Sequence, residues 1–200
     1  MKKPFLITSF MALFLMFQSP VFGKCVGWGE FVPPKTQNFK QLQGIWVFEQ
    51  EETGIFEIRL DGKSWVLVQY HFDEGDYSKI PIKTLKNGTF LKRTDGLYQG
   101  YDAQIKEIVL VDDKGCRVTG SARLSADDVH IIYSPEGHTN VRRGASNKHA
   151  IIRQIPNGTK IVLAEYSKHN HTNSNWKEVL YFNYDKNLIG TGFVHQSQFR

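Results

Sequence analysis

The sequence predicts an all-β protein: an antiparallel β-barrel or sandwich followed by a second, smaller β module. Three observations carry this. From residue 44 onward, short stretches that alternate apolar and polar residues are separated by turn pairs such as Asp61-Gly62, Asn87-Gly88 and Asp95-Gly96, the pattern of strands joined by tight turns. No stretch keeps a 3.6-residue apolar period over ten or more positions, which disfavours helices. The charge also changes sign along the chain. Residues 24–133 hold 14 Lys/Arg against 16 Asp/Glu, whereas residues 134–200 hold 9 against 4 and five of the seven histidines.

The chain opens with Met1-Lys2-Lys3, an uncharged and mostly apolar run over residues 5–17, a polar Gln18-Ser19-Pro20, and then Val21-Phe22-Gly23. A charged start, a short apolar run and small residues three and one before a cut after Gly23 predict a signal peptide over residues 1–23. As a helix the apolar run would rise only about 20 Å, short of a hydrocarbon core of about 30 Å. Lys24 stands directly before Cys25, where a lipoprotein signal would carry a small residue. No later segment is apolar enough to span, so the expectation is a periplasmic or secreted protein with no membrane span after signal cleavage. The 177 residues that remain carry a formal charge of +3, too little for a nucleic-acid footprint, which needs a clustered basic face.

Cys25 and Cys116 are the only cysteines. In an oxidising compartment an even pair is expected to bond, tying the mature N-terminus to a first module over residues 24–133. In that module Phe56, Ile58 and Leu60 alternate with Glu57, Arg59 and Asp61. Residues 65–70 return after Asp61-Gly62, and residues 77–85 follow the turn at residues 73–76. Residues 105–111 pair with 116–124 across Asp112-Asp113-Lys114-Gly115, and residues 129–133 close the module.

Leu42-Gln43-Gly44-Ile45-Trp46-Val47 resembles the Gly-x-Trp opening of lipocalin-like barrels. That resemblance implies a glycine that permits close approach and a tryptophan that plugs one barrel end. Residues 134–200 carry a longer series: Asn140-Val141-Arg142-Arg143-Gly144-Ala145-Ser146, Ile155-Pro156-Asn157-Gly158-Thr159, Trp176-Lys177-Glu178-Val179 and Gly192-Phe193-Val194. Their order and spacing resemble bacterial SH3-like (SH3b) domains, with two departures, an insert at residues 168–175 and a long connection at residues 181–188. Asn157-Gly158 and Gly144 are expected to supply positive φ values. Ile151, Ile155, Ile161, Leu163, Val179 and Val194 suffice for a small barrel core.

No activated nucleophile, metal-binding helix or Cys/His signature is present, so the sequence points to a non-enzymatic protein and implies no cofactor. His169-Asn170-His171 offers two imidazoles, fewer ligands than a defined metal site uses. The resemblance places binding in the C-terminal module, with Trp176, Tyr181, Tyr184, Phe193, His195, Arg142 and Arg143 as its candidate residues. Aromatic grooves suit extended ligands and arginines suit carboxylates, so the implied partner is a peptidoglycan peptide or a protein partner. Two other expectations stay open: a lipocalin-like carrier of an apolar small molecule, and a periplasmic inhibitor or immunity protein against a secreted toxin.

Overall fold

The computed structural model describes residues 25, 29–48, 54–125, 127–164 and 175–200. Residues 1–23, read from the sequence as a signal peptide, and His169-Asn170-His171 lie outside the described residues. Among the described residues the protein is nearly all β, and no helix is long and apolar enough to cross a membrane.

The first sheet contains β1 (Gly44–Phe48), β2 (Ile55–Asp61), β3 (Ser64–His71), β4 (Asp76–Pro81), β5 (Leu91–Lys92), β6 (Tyr98–Asp102), β7 (Glu107–Val111) and β8 (Arg117–Arg123). They lie in the order β4-β3-β2-β1-β8-β7-β6-β5, with the β1–β8 pair joining two four-stranded meanders. The turns read from the sequence hold the hairpins: Asp61 pairs Ser64 across Gly62, and Asp112 closes the β7–β8 turn by accepting from the backbone N–H groups of Lys114 and Cys116. Between β4 and β5, Lys83 N–H donates to Phe90 O and Leu85 N–H to Thr89 O. A short helix α1 (Phe39–Leu42), capped by Asn38, enters β1. Trp46 Nε1 donates to Leu42 O, and the Arg123 guanidinium lies over the Trp46 ring. A Cβ on Gly44 would come within 2.9 Å of that guanidinium, so the glycine gives Arg123 its place.

The second sheet contains β9 (Val129–Ile131), β10 (His138–Arg142), β11 (Ile151–Pro156), β12 (Lys160–Leu163), β13 (Trp176–Asn183) and β14 (Leu188–His195), in the order β11-β10-β14-β13-β12-β9. Three sequence expectations are corrected here. Ile151, expected in the core of the second module, is 49% exposed, because it opens edge strand β11, which has a neighbour on one side alone. Residues 129–131 do not close the first sheet; they pair with β12, Val162 opposite Val129. The reason is topological, since β1 and β7 flank β8 on both sides and leave no room beside it for a further strand. Between the two sheets, Ser125 Oγ donates to the Asp128 carboxylate and accepts from Asp128 N–H. Gly144 and Asn157 do not adopt positive φ; at that second turn only Gly158 does. Gly144 instead makes room for the His149 ring, and the Asn157 amide grips Ser134 by both backbone groups, at 2.9 and 2.8 Å.

Side-chain alternation gives β1–β3 two covered faces. One face of β1–β3 carries Trp46, Phe56, Ile58 and Leu67, which pack with Leu42, Phe90 and Ile108. The opposite face carries Ile45, Ile55, Val66, Val68 and Tyr70, and it packs against Val162, Leu180, Phe182 and Ile189 of the second sheet. Phe31 covers Val109 and Val111 of β7, and the segment that brings it there is fastened by the Cys25–Cys116 disulfide. The second sheet buries its own cluster of Val141, Ile155, Ile161, Val179, Tyr181 and Val194. At roughly 2 kcal/mol for each large apolar side chain removed from water, the core between the sheets is comparable in weight to the core within either one.

Candidate functional site

Strand β13 distributes the candidate residues by parity. Val179 and Tyr181 point into the second sheet's own core, and Leu180 and Phe182 into the core shared with the first sheet. Trp176 and Glu178 fall on the same face as Leu180 and Phe182, because side chains two apart share a face. The register sets Trp176 opposite His195, Glu178 opposite Phe193, and Phe193 opposite Arg142 of β10. Trp176, Phe193, His195 and Arg142 thus extend the seam face beyond the part the first sheet covers, and all four are half-buried.

Their geometry is ordered. The Trp176 and His195 rings meet edge-on at 5.3 Å and 79°. The Arg142 guanidinium lies 5.9 Å from the Trp176 ring, within cation–π range, and its Nη1 donates to His149 O at 2.7 Å. His195 Nδ1 accepts from Ser197 N–H at 3.3 Å and stands 2.8 Å from Ser197 Oγ. That acceptor role places the proton of the neutral ring on Nε2, leaving an N–H donor for another group. An aromatic surface, a fixed guanidinium and an imidazole N–H together suit an extended chain that carries a carboxylate.

The other three candidates lie elsewhere. Arg143 is exposed, one residue past the end of β10. Tyr181 is buried beneath Gly190, where a Cβ would stand 2.5 Å from its hydroxyl, and burial pushes that hydroxyl's pKa up. Tyr184 lies in the seam between the sheets: its ring stacks near Tyr77 at 5.1 Å, the Arg59 guanidinium sits 4.6 Å over it, and its hydroxyl donates to Asp61 Oδ2 at 3.1 Å.

The seam is also where the structure gathers charge that the sequence leaves scattered. Glu57 is 7% exposed; its Oε1 accepts from Lys160 Nζ at 2.7 Å and its Oε2 from the Tyr70 hydroxyl at 2.8 Å. Arg59 bonds Asp185 at 2.8 Å, and Lys79 pairs with Asp61. The hydrogen bonds from Lys79 and then Tyr184 hold the Asp61 carboxyl below the usual carboxylate range. Burial first, then the Glu57 charge, pushes the Tyr70 hydroxyl far above its ordinary value, so it stays a proton donor. Beside this network lies a cleft of about 720 Å³ whose walls include Lys40, Arg123, Lys160, Ile45, Leu124 and Val129. These cations come from α1, β8 and β12, and no local motif links them. Among the described residues no group of three or more His, Cys, Asp or Glu is placed to hold a metal ion. Comparison with protein-family models, with curated proteins and with solved structures gives no match.

Proposed function

We propose that this is an exported, non-enzymatic binding protein, and that its C-terminal SH3-like module recognises a cell-wall peptide or an extended segment of a protein partner. The observation that carries the reading is the convergence of Trp176, His195, Phe193 and Arg142 on one half-buried face from three different strands. Aromatic and arginine side chains that are partly desolvated and held by neighbours are the residue types that dominate binding energy. The first barrel-like sheet serves as the support, because its outer face is the floor on which the second sheet rests. The filled interior of that first sheet, with Trp46, Phe56, Ile58 and Phe90 at 1% exposure or less, favours surface recognition over the carriage of an apolar molecule inside it.

Co-sedimentation of the mature protein with purified peptidoglycan at low salt tests this. Binding is expected, with Trp176→Ala and Arg142→Ala each weakening it by about tenfold or more, the effect of removing an anchor worth at least ~1.4 kcal/mol. Absence of sedimentation at low salt removes the cell-wall version. Sedimentation that neither substitution alters removes the assigned face.

A further inference from the structure

Strand β11 differs from the other sheet edges. The opposite edge of its sheet, β9, is closed by the C-terminus: Ile131 and Arg200 exchange backbone hydrogen bonds at 2.8 and 3.1 Å, and Tyr133 N–H donates to Gln198 O. In the first sheet, edge strand β5 is two residues long, and β4 lies against β14. β11 runs for six residues, and among the described residues no strand pairs with its outer side. Its first four residues, Ile151, Ile152, Arg153 and Gln154, are all exposed, with the two isoleucines at 49% and 43%. An exposed strand edge presents a row of unpaired N–H and C=O groups, which templates pairing with another extended chain.

Charge decides which chain. Residues 137–164 contain no Asp or Glu, while they hold Arg142, Arg143, Lys148, Arg153 and Lys160, with His138 and His149. Arg143, Lys148, His149 and Arg153 are exposed on β11 or on the loop that leads into it. Pairing with a second copy through β11 would set this cationic edge beside itself, and like charges on facing strands destabilise the pair. An acidic strand meets the same edge with complementary charge, and β-branched residues in it would meet Ile151 and Ile152.

We infer that β11 is a strand-addition site for an acidic, extended segment of a protein partner. This rests on the reading that the second sheet is the binding element and adds a surface separate from the Trp176 face. The probe is a ten-residue peptide alternating Glu with Val and Thr, titrated into the mature chain at low salt and followed by amide hydrogen exchange. Expected are slowed exchange within residues 151–156 and at least tenfold weaker binding when alternate peptide nitrogens on the pairing side are methylated, which removes ladder donors but keeps charge. Arg143→Glu with Arg153→Glu is expected to weaken binding by a similar factor, whereas Trp176→Ala changes it less than twofold, which separates this site from the peptidoglycan face. Three results overturn the inference: equal binding of the methylated peptide, slowed exchange that bypasses β11, or dimerisation through β11 without peptide. Equal competition by a heparin or DNA polyanion, with no protection at β11, would reduce the site to a basic patch.

Discussion

Phe182→Ala probes the surface that joins the two sheets. Phe182 is fully buried, its ring 4.6 Å from that of Tyr70 and 6.1 Å from that of Phe72, so one side chain of the second sheet fills a socket built by the first. Truncating a buried phenylalanine costs about 3–5 kcal/mol, from lost transfer energy and the cavity left behind. With an unfolding entropy of about 2.1 cal/mol/K per residue, the 177 residues from Lys24 onward convert ~4 kcal/mol into a fall in Tm of about 11 °C. Urea unfolding followed by far-UV circular dichroism and by tryptophan fluorescence reads the same quantity. Trp46 and Trp65 report on the first sheet and Trp176 on the second. The expected outcome is one transition, coincident for both probes, with its midpoint moved down by the substitution. A loss below about 1 kcal/mol, or two separate transitions of which only one moves, would refute a shared core.

Other perturbations test other parts of the structure. Replacing both Cys25 and Cys116 by Ser opens a crosslink between residues 91 apart in sequence; the chain-entropy model sets a loss of up to about 4.6 kcal/mol, measured by denaturant unfolding, and no loss would mean that the N-terminal segment needs no tether. Gly192→Ala places a Cβ 2.4 Å from Val141 Cγ1 and 3.1 Å from Arg142 O; overpacking of this kind is expected to cost about 1–3 kcal/mol, and a neutral result would show that β10 and β14 can part freely. Tyr70 is held protonated in the fold above its ordinary value of 10.0. Because the unfolded chain releases that proton first, stability is fully present below pH 10 and falls above it, by about 1.4 kcal/mol per pH unit for this group. Alkaline unfolding curves of Tyr70→Phe should be flatter than those of the parent, and equal slopes would contradict the buried donor.

The turns and strands were legible because their causes are local. Asp61-Gly62 and residues 112–115 specify hairpins by backbone preference and short side-chain bonds, wherever the hairpin later packs. The pair of cysteines was legible for a compositional reason. What covers a face was not legible. Glu57, Arg59 and Asp61 read only as the polar positions of an alternating strand, and the structure sets them in the seam, paired with Lys160, Asp185 and Tyr184 from more than 100 residues away. The sheet assignment of residues 129–131 was hidden in the same way, since a short apolar strand carries no mark of its neighbour. Part of the candidate site obeyed a rule that was available. Trp176 and Tyr181 are five residues apart on one strand, and odd spacing puts them on opposite faces, which is why Tyr181 joined the core. His195, Phe193 and Arg142 joined Trp176 because strand register brought them there, and register depends on the whole sheet.

The proposed recognition face is tested most directly by amide hydrogen exchange of the mature protein with and without soluble peptidoglycan fragments. The account predicts slowed exchange around Trp176, Phe193 to His195 and Arg142, abolished by Trp176→Ala. Protection confined to the first sheet, or none at fragment concentrations that saturate the wild-type chain, would contradict it.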